Sequence, residues 1–136
     1  MAKLEVYLCF DGNCEEALHF YQQSLRGEVQ VEKRFGETPM EVPDSHRDRV
    51  MHATFRSGEI FFMASDTRPG NPLNQGNNIA LSLHFSDFDE QQRMFDKLGE
   101  GATNVFPLAD QFWGSRFGML TDRYSIRWMF SCKSAG

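Results

Sequence analysis

The order of apolar and polar positions in the first quarter of the chain predicts a strand followed by a helix. Residues 4–10 are an apolar, β-prone run, and a cluster of turn-forming residues at 11–13 closes it. From Cys14 to Leu25, apolar residues recur every three or four positions, which is the spacing of one helix face. A polar residue of the turn is placed to cap this helix, and Gly27 is placed to end it.

Three further strands are predicted after this helix. Residues 28–35 alternate charged and apolar side chains, which is typical of a strand with one solvent-exposed face. Residues 50–55 and 60–64 flank a serine–glycine pair at 57–58 that favours a hairpin turn. The segment 36–47 contains two prolines and predicts an exposed loop, long enough for a binding lid or a dimer contact, although a loop without a role explains it equally well.

A second series of elements begins beyond a surface loop. Residues 66–78 are rich in Gly, Pro and Asn and cannot bury an apolar face, so they predict that loop. A capping residue, Ser86 or Asp87, precedes the second helix. The predicted elements are a strand at 79–85, a helix whose apolar stripe runs from Phe88 to Leu98, and strands at 103–108, 117–121 and 126–131.

Both halves therefore have the order βαβββ, which predicts an internal repeat. An offset of 75 residues superposes identical residues at equivalent points: Phe10 on Phe85, Glu15 on Glu90, and Phe20 on Phe95. We predict an α+β fold in which modules of about 3–66 and 78–133, joined by the loop 67–77, form one domain over 1–136. One module alone would leave an apolar sheet face uncovered, so we expect packing between modules or across a dimer.

Composition and charge exclude several classes of protein. A formal net charge of −5, with dispersed basic residues, argues against nucleic-acid binding. No apolar stretch approaches the roughly 20 residues that cross a bilayer, and the first residues lack a signal-peptide pattern. Cys9, Cys14 and Cys132 match neither a disulfide framework nor paired zinc ligands. We therefore expect a cytoplasmic protein without a nucleic-acid or membrane partner.

Three segments resemble, in order, the blocks of a known family. CFDGNCEEALHFYQQSLRGEV is similar to the opening of PhnB-like proteins of the glyoxalase, or vicinal-oxygen-chelate, superfamily. VMHATFRSGEIFFMASD and FWGSRFGMLTDRYSIRWMF are similar to their second and closing blocks. The resemblance implies two βαβββ modules whose strands form a cupped, barrel-like mixed sheet around a ligand, and it implies a homodimer. No glycine-rich loop opens a Rossmann unit here, so we do not expect the methyl transfer for which some such chains are named.

The resemblance also implies that metal ligands would lie on the first and last strands of each module. The residues aligned with those positions are unusual ligands: Val6 and either Asn78 or Ala80 for the histidines, and Met63 and Met129 for the carboxylates. Thioethers bind hard or borderline cations poorly, so we expect no metal and no other cofactor. A register shifted by one residue would turn Tyr7 or Trp128 inward instead.

Two histidines in predicted strands are candidates for acid–base chemistry. His52 and His84 each alternate with apolar neighbours and could face a cavity, where imidazole acts as an acid or base near neutral pH. Hydrogen-bonded structural histidines are the alternative. His52 is the predicted catalytic residue, and we expect His19 and His46 to be exposed.

Other reactive side chains are weaker candidates. Glu59 and Asp66 flank a strand, where carboxylates usually face water. Cys9 lies in the first strand, where we expect it to be buried, and it has no histidine nearby in sequence. None of the three is predicted to be catalytic.

The aromatic cluster near residue 115 is the richest local feature of the sequence. Phe112, Trp113 and Phe117 offer flat apolar surface, and Arg116 between them offers a guanidinium that could bind an anion. This combination predicts a small acidic or aromatic ligand. Alternatively, the rings pack in the core or a dimer, and Arg116 pairs with a carboxylate such as Asp122.

Methionines could form a soft, adaptable wall for such a ligand. Met63 and Met129 suit a pocket for apolar ligands, although core filling explains them equally well. Trp128 and Phe130 alternate with Arg127 and Met129, so one pair faces the core and the other faces a cavity or solvent. The pattern does not decide which pair is buried.

Three functional hypotheses follow. The favoured one is a metal-independent binding protein for an unknown small molecule. The second is an enzyme of the superfamily, a lyase, isomerase or dioxygenase, with an altered metal site or an acid–base residue such as His52. The third is a structural dimer without a ligand. The predicted ligand-binding residues are Trp113, Arg116, Phe117, Met63 and Met129.

Overall fold

The computed structural model describes residues 1–133, which divide into two compact units, one from Met1 to Gln75 and one beginning at Gly76. The first module contains β1 (Val6–Phe10), α1 (Cys14–Leu25), β2 (Glu28–Arg34), β3 (Val50–Ser57) and β4 (Ile60–Asp66). The second contains β5 (Leu81–Phe85), α2 (Phe88–Leu98), β6 (Thr103–Asp110), β7 (Ser115–Thr121) and β8 (Arg127–Lys133). Neither helix of these residues is long and apolar enough to cross a membrane.

Both modules have the same sheet topology, which confirms the predicted α+β fold with a βαβββ repeat. The first sheet has the order β1-β4-β3-β2, and β1 is parallel to β4 while the other pairs are antiparallel. The second sheet has the order β5-β8-β7-β6, and β5 is parallel to β8. The first and last strands of each module are therefore neighbours.

The core of the first module lies between α1 and one face of its sheet. Leu18 and Tyr21 on α1 are fully buried, and the ring of Tyr21 meets Phe62 edge to face at a centroid distance of 5.8 Å. Phe55 stacks on Phe62 at 4.8 Å. Such aromatic pairs contribute about 0.5–1.5 kcal/mol each beyond their burial of area. The alternate residues of β3 and β4 that meet α1 therefore define the inner face of this sheet.

The core of the second module repeats this arrangement between α2 and β8. Phe95 meets Phe130 edge to face at 5.0 Å, and both Trp128 and Phe130 are buried. Trp128 and Phe130 are thus the pair that faces the core. The counterpart of Phe95 is Tyr21 rather than Phe20, because the N-cap residues Asn13 and Asp87 are 74 residues apart, and Tyr21 and Phe95 are both buried. The sequence offset that equated Phe20 with Phe95 is therefore wrong by one residue in the helix.

Asp66, expected to face water, is buried at the end of β4 with 3% of its surface exposed. Its Oδ1 accepts hydrogen bonds from the backbone N–H of Gly12 at 2.8 Å and of Cys14 at 2.9 Å. Its Oδ2 accepts one from the N–H of Val50 at 2.9 Å. Asn13, at the N-cap position, makes no capping hydrogen bond with its side chain. The start of α1 is therefore capped by a distant strand residue and not by the turn that precedes it.

Gly27 does not end α1 in the way that the sequence suggested. Arg26 is the residue that adopts the left-handed conformation after the helix, with φ of 53°. A β-carbon at Gly27 would lie 2.5 Å from Cζ of Phe55 and 2.7 Å from the backbone oxygen of Arg56. Glycine is needed at this position because β3 approaches too closely for any side chain.

The loop between β2 and β3 contains two short 3-10 helices, Phe35–Glu37 and Asp44–His46. Phe35, expected to end a strand, starts the first of them and is buried. Its backbone N–H donates to the carbonyl oxygen of Arg49 at 3.1 Å, which closes the base of the loop. A role of this loop as a lid or a dimer contact stays a prediction.

Arg34, at the end of β2, connects this loop to α1. Its guanidinium donates to both carboxylate oxygens of Glu15, at 3.0 and 2.9 Å, and to the backbone oxygen of Asp48 at 2.8 Å. The hydrogen bond from Arg34 lowers the pKa of the Glu15 carboxyl below its ordinary value. Both side chains are partly exposed, so the pair contributes less than about 1 kcal/mol to stability.

Candidate functional site

The face of each sheet opposite its helix, called the far face below, carries most of the predicted ligand-binding residues. Paired residues on neighbouring strands share a face, and successive residues of one strand alternate between faces. One row across the second far face consists of Phe106, Met119, Met129 and Ser82. The next row consists of Ala109, Phe117, Ser131 and His84. This far face is therefore apolar toward β6 and β7 and polar along β5.

The turn between β6 and β7 adds aromatic rings to the second far face. Gly114 has φ of +86°, a conformation that residues with a side chain rarely adopt. The ring of Trp113 meets Phe117 at a centroid distance of 5.9 Å, and Phe112 meets Trp113 at 5.1 Å. Phe112 is 97% exposed and Trp113 is 55% exposed. The turn thus places an exposed indole ring beside Phe117.

Arg116 lies on the other face of β7 from Phe117. Its guanidinium carbon is 5.1 Å from the ring centroid of Phe88, the first residue of α2. Its Nη2 donates a hydrogen bond to the side-chain oxygen of Gln92. The structure therefore separates the guanidinium from the aromatic rings with which the sequence grouped it.

Asp122, suggested as a carboxylate partner of Arg116, has other hydrogen bonds. Its Oδ2 accepts one from the indole N–H of Trp128 at 2.8 Å. Its Oδ1 accepts from the backbone N–H of Tyr124 at 2.8 Å and of Ile126 at 3.1 Å. Asp122 is 2% exposed and therefore holds the turn between β7 and β8 against the core.

Hydroxyl and imidazole groups form the polar part of the second far face. The Oγ of Ser82 lies 3.3 Å from Nε2 of His84, and the side chain of His84 is exposed. The hydroxyl groups of Ser115 and Ser131 are 2.9 Å apart. A ligand lying on the apolar rows would therefore find hydrogen-bonding groups at the β5 side of the sheet.

The far face of the first module has a more polar composition. Tyr7, Met63, Thr54 and Gln30 form a row that crosses all four strands. Met63 is half-buried, and Tyr7 is 44% exposed. The predicted ligand-binding residue Met63 thus lies beside a phenol, a hydroxyl and an amide.

His52 also lies on the first far face, where it contacts Tyr7. The phenolic oxygen of Tyr7 is 3.1 Å from Nδ1 of His52, and the two ring centroids are 5.7 Å apart. Tyr7 belongs to β1 and His52 to β3, so the phenol reaches across β4. Sequence reasoning missed Tyr7 as a partner because their 45-residue separation leaves no local pattern. A catalytic role of His52 stays a prediction.

The remaining histidines and Glu59 lie outside these rows. His19 is exposed on α1, as expected. His46 was expected to be exposed but is half-buried, and its Nδ1 is 3.0 Å from the hydroxyl of Ser45. Glu59 is exposed in the turn between β3 and β4, as expected. The structure therefore brings none of these three side chains into contact with His52.

The environments of the cysteines differ from the prediction. Cys9 is exposed and not buried, because it points to the far face while Leu8 and Phe10 point to the core. Cys14 is fully buried, and burial raises the pKa of its thiol well above the ordinary value, with the Asp66 carboxylate adding to the rise. The thiol of Cys14 is therefore unsuited to nucleophilic chemistry.

The positions at which the resemblance implies metal ligands hold other chemistry here. On the far faces, the first and last strands present Tyr7 and Met63 in the first module and Ser82 and Met129 in the second. Val6 pairs with buried Phe62 and faces α1, while Asn78 and Ala80 precede β5. Phenol, hydroxyl and thioether groups do not fit a divalent metal. Within residues 1–133, no three His, Cys, Asp or Glu side chains are grouped to hold one.

Comparison with known proteins identifies the family. Residues 2–131 match the model of the family described as 3-demethylubiquinone-9 3-methyltransferase. Protein PA1353 from Pseudomonas aeruginosa is 37% identical, with a TM-score of 0.87 over 99% of this chain and 100% of its own. A PhnB protein from Bacillus cereus, described as a 3-demethylubiquinone-9 3-methyltransferase, is 25% identical, with a TM-score of 0.78 over 96% of this chain and 99% of its own. Protein YjdN from Escherichia coli K12 is 29% identical over 94% of this chain and 93% of its own.

More distant structures share the fold alone. The fosfomycin resistance protein FosX from Mesorhizobium loti is 12% identical, with a TM-score of 0.61 over 98% of this chain and 94% of its own. The resemblance to PhnB-like proteins is thus confirmed by the family match and by the structures. The chain belongs to this PhnB-like family, and its two βαβββ modules have the fold of the glyoxalase, or vicinal-oxygen-chelate, superfamily.

Proposed function

We propose that this protein binds a small, planar, largely apolar molecule on the far face of its second module. The observation that carries the proposal is the row Phe106, Met119 and Met129, which continues across three adjacent strands and ends at Ser82. Planar ligands bind well to aromatic and thioether groups, because both contribute large apolar area and methionine adapts its shape. The indole of Trp113 extends this surface beside Phe117.

The polar side of the face indicates what else the ligand carries. Ser82 and His84 can each donate or accept a hydrogen bond, and they lie 3.3 Å apart at one end of the apolar rows. A single hydroxyl or carbonyl group at one end of the ligand would suit them. Arg116 is not part of this proposal, since it contacts Phe88 and Gln92 near α2.

Binding on this face would need no metal. The support is the donor chemistry of Ser82 and Met129, because a hydroxyl and a thioether side by side on the first and last strands are poor ligands for a divalent cation. Methyl transfer is also left out of the proposal. The mixed sheets lack the parallel strand order and the glycine-rich turn of a Rossmann unit, which would hold a methyl donor.

Replacing Met129 with glutamine is expected to weaken the binding of 2-naphthol about tenfold. The probe is planar and carries one hydroxyl, and glutamine keeps the length of methionine while replacing its apolar end with an amide. A tenfold change corresponds to about 1.4 kcal/mol, a plausible share of the roughly 1.5–3 kcal/mol for burying a methionine. Isothermal titration calorimetry measures the affinity.

Ile79→Gln is the matched control, because Ile79 is an exposed apolar residue of the same module that lies before β5. This variant is expected to bind 2-naphthol as the wild type does. Equal loss of affinity in both variants, or no loss in Met129→Gln, would contradict the proposed site. Circular dichroism spectra of the variants verify that both are folded.

A further inference from the structure

The contact between Tyr7 and His52 defines which nitrogen of the imidazole remains available. The phenolic oxygen lies 3.1 Å from Nδ1. If the phenol donates its hydrogen to Nδ1, the neutral imidazole carries its own hydrogen on Nε2. Nε2 has no hydrogen-bond partner among residues 1–133. In that tautomer, His52 presents one directed N–H donor on the first far face.

Lys33 is the residue of β2 that pairs with His52 in the sheet. Paired residues of antiparallel strands have Cα atoms about 4.5–5.5 Å apart and side chains on the same face. Irregular register on both sides, between Val31 and Lys33 and between Lys33 and Arg34, isolates this pair at a bulge. Lys33 is exposed and has no ion-pair partner in the part of the chain that the structure describes. Lys33, which carries a cationic donor, is therefore the direct neighbour of His52 on the adjacent strand.

Apolar surface adjoins these two donors. The ring of Tyr7 lies beside His52, and Met63 pairs with Tyr7 on the neighbouring strand. Thr54, the partner of Met63 on β3, adds a hydroxyl. The arrangement suits a ligand with two anionic oxygens at one end and an apolar body at the other.

We propose that Lys33 and His52, with Tyr7 as the positioning residue, form a binding site for a small organic carboxylate. The ammonium and the imidazole N–H would each donate to one carboxylate oxygen, and charge-assisted hydrogen bonds of this kind are stronger than neutral ones. The apolar body of the carboxylate lies on the Tyr7 ring and Met63. This site is on the first module and does not depend on the 2-naphthol site of the second.

The surroundings limit the strength of such a site. Glu32 is adjacent to Lys33 in sequence, and the chain has a net charge of −5. The electrostatic potential of the whole protein therefore does not attract anions. The two directed donors must therefore supply the selectivity. Binding is expected to weaken as salt rises, because exposed charges are screened over about 8–10 Å at moderate ionic strength.

The test is a titration with sodium benzoate at pH 8, where free imidazole is neutral, with sodium chloride added to hold the ionic strength constant. Histidine ring signals are followed by NMR. We expect the His52 signals to shift with benzoate until they saturate. The signals of His19, His46 and His84 should shift no more than they do when sodium chloride replaces benzoate. Nitrogen shifts of the ring report the tautomer, and we expect hydrogen on Nε2 of His52.

Three variants separate the donors from the fold. Lys33→Gln is expected to weaken benzoate binding at least fivefold, whereas Lys3→Gln, which removes another exposed lysine of the same module, leaves it unchanged. Tyr7→Phe keeps the ring and is expected to mix the two tautomers of His52 and to weaken binding. These substitutions affect exposed side chains, so the proteins should fold.

Two results would overturn the carboxylate site. One is a benzoate response spread equally over all four histidines, and the other is an affinity that Lys33→Gln and Lys3→Gln change to the same extent. Binding of 2-naphthol and its loss in Met129→Gln are measured separately. Failure of one proposal is therefore distinguishable from failure of the other.

Discussion

Asp66→Asn is expected to lower the free energy of unfolding by about 2–4 kcal/mol, the range for one or two buried donors left without an acceptor. The carboxylate accepts hydrogen bonds from three backbone N–H groups: Oδ1 accepts from Gly12 and Cys14, and Oδ2 accepts from Val50. An asparagine has one acceptor oxygen, so its NH₂ group must face at least one of these N–H donors. The side-chain NH₂ group and a backbone N–H, both hydrogen-bond donors, would then face each other inside the core without an acceptor.

Urea unfolding followed by far-UV circular dichroism measures this change. Tryptophan fluorescence is less suitable, because Trp113 and Trp128 both lie in the second module. The control is Asp44→Asn, which changes an exposed carboxylate of the same module and should alter stability by less than about 0.5 kcal/mol. Equal stabilities of the two variants would show that Asp66 does not anchor α1.

Gly27→Ala is expected to destabilise the protein by about 2 kcal/mol, within the range for overpacked cores. The new methyl group would lie 2.5 Å from Cζ of Phe55 and 2.7 Å from the carbonyl oxygen of Arg56. Phe55 is fully buried and stacks on Phe62, and the carbonyl belongs to β3, so neither neighbour can move easily. The end of α1 must separate from the sheet to admit the methyl group.

Gly76→Ala is the matched control for this substitution. A β-carbon there meets only the side-chain oxygen of Asn78, at 3.5 Å, an ordinary contact distance. Its stability should stay the same or rise slightly, since alanine restricts the unfolded chain. Urea unfolding compares the variants, and a Gly27→Ala protein as stable as Gly76→Ala would refute the close approach of β3.

The order of elements could be predicted because each has a periodicity that is visible within about ten residues. The cap of α2 was also accessible: Asp87 immediately precedes the helix and accepts from the N–H of Glu90 at 2.9 Å. The cap of α1 was not accessible. Asp66 lies 52 residues after Cys14, and only the parallel pairing of β1 with β4 brings it to the helix. Local sequence does not contain that information.

The candidate site could be predicted only in part for a related reason. Alternation separates the two faces of a strand but does not say which face meets the helix. Arg116 and Phe117 are adjacent in a strand and therefore point to opposite faces of the sheet. The prediction that they form one cluster did not take this alternation into account. Cys9 was misplaced for the same reason. Phe106 was missed because its row with Met119 exists only once the strands are in register.

Methyl NMR of the seven methionines, during titration with 2-naphthol, tests most directly whether the second far face binds a planar ligand. Met119 and Met129 lie on that face, whereas Met94 is buried on α2 and Met40 lies in the loop between β2 and β3. We expect saturable shifts of the Met119 and Met129 methyl signals, while those of Met94 and Met40 change little. Unchanged Met119 and Met129 signals at concentrations that shift the other methionines would contradict the account.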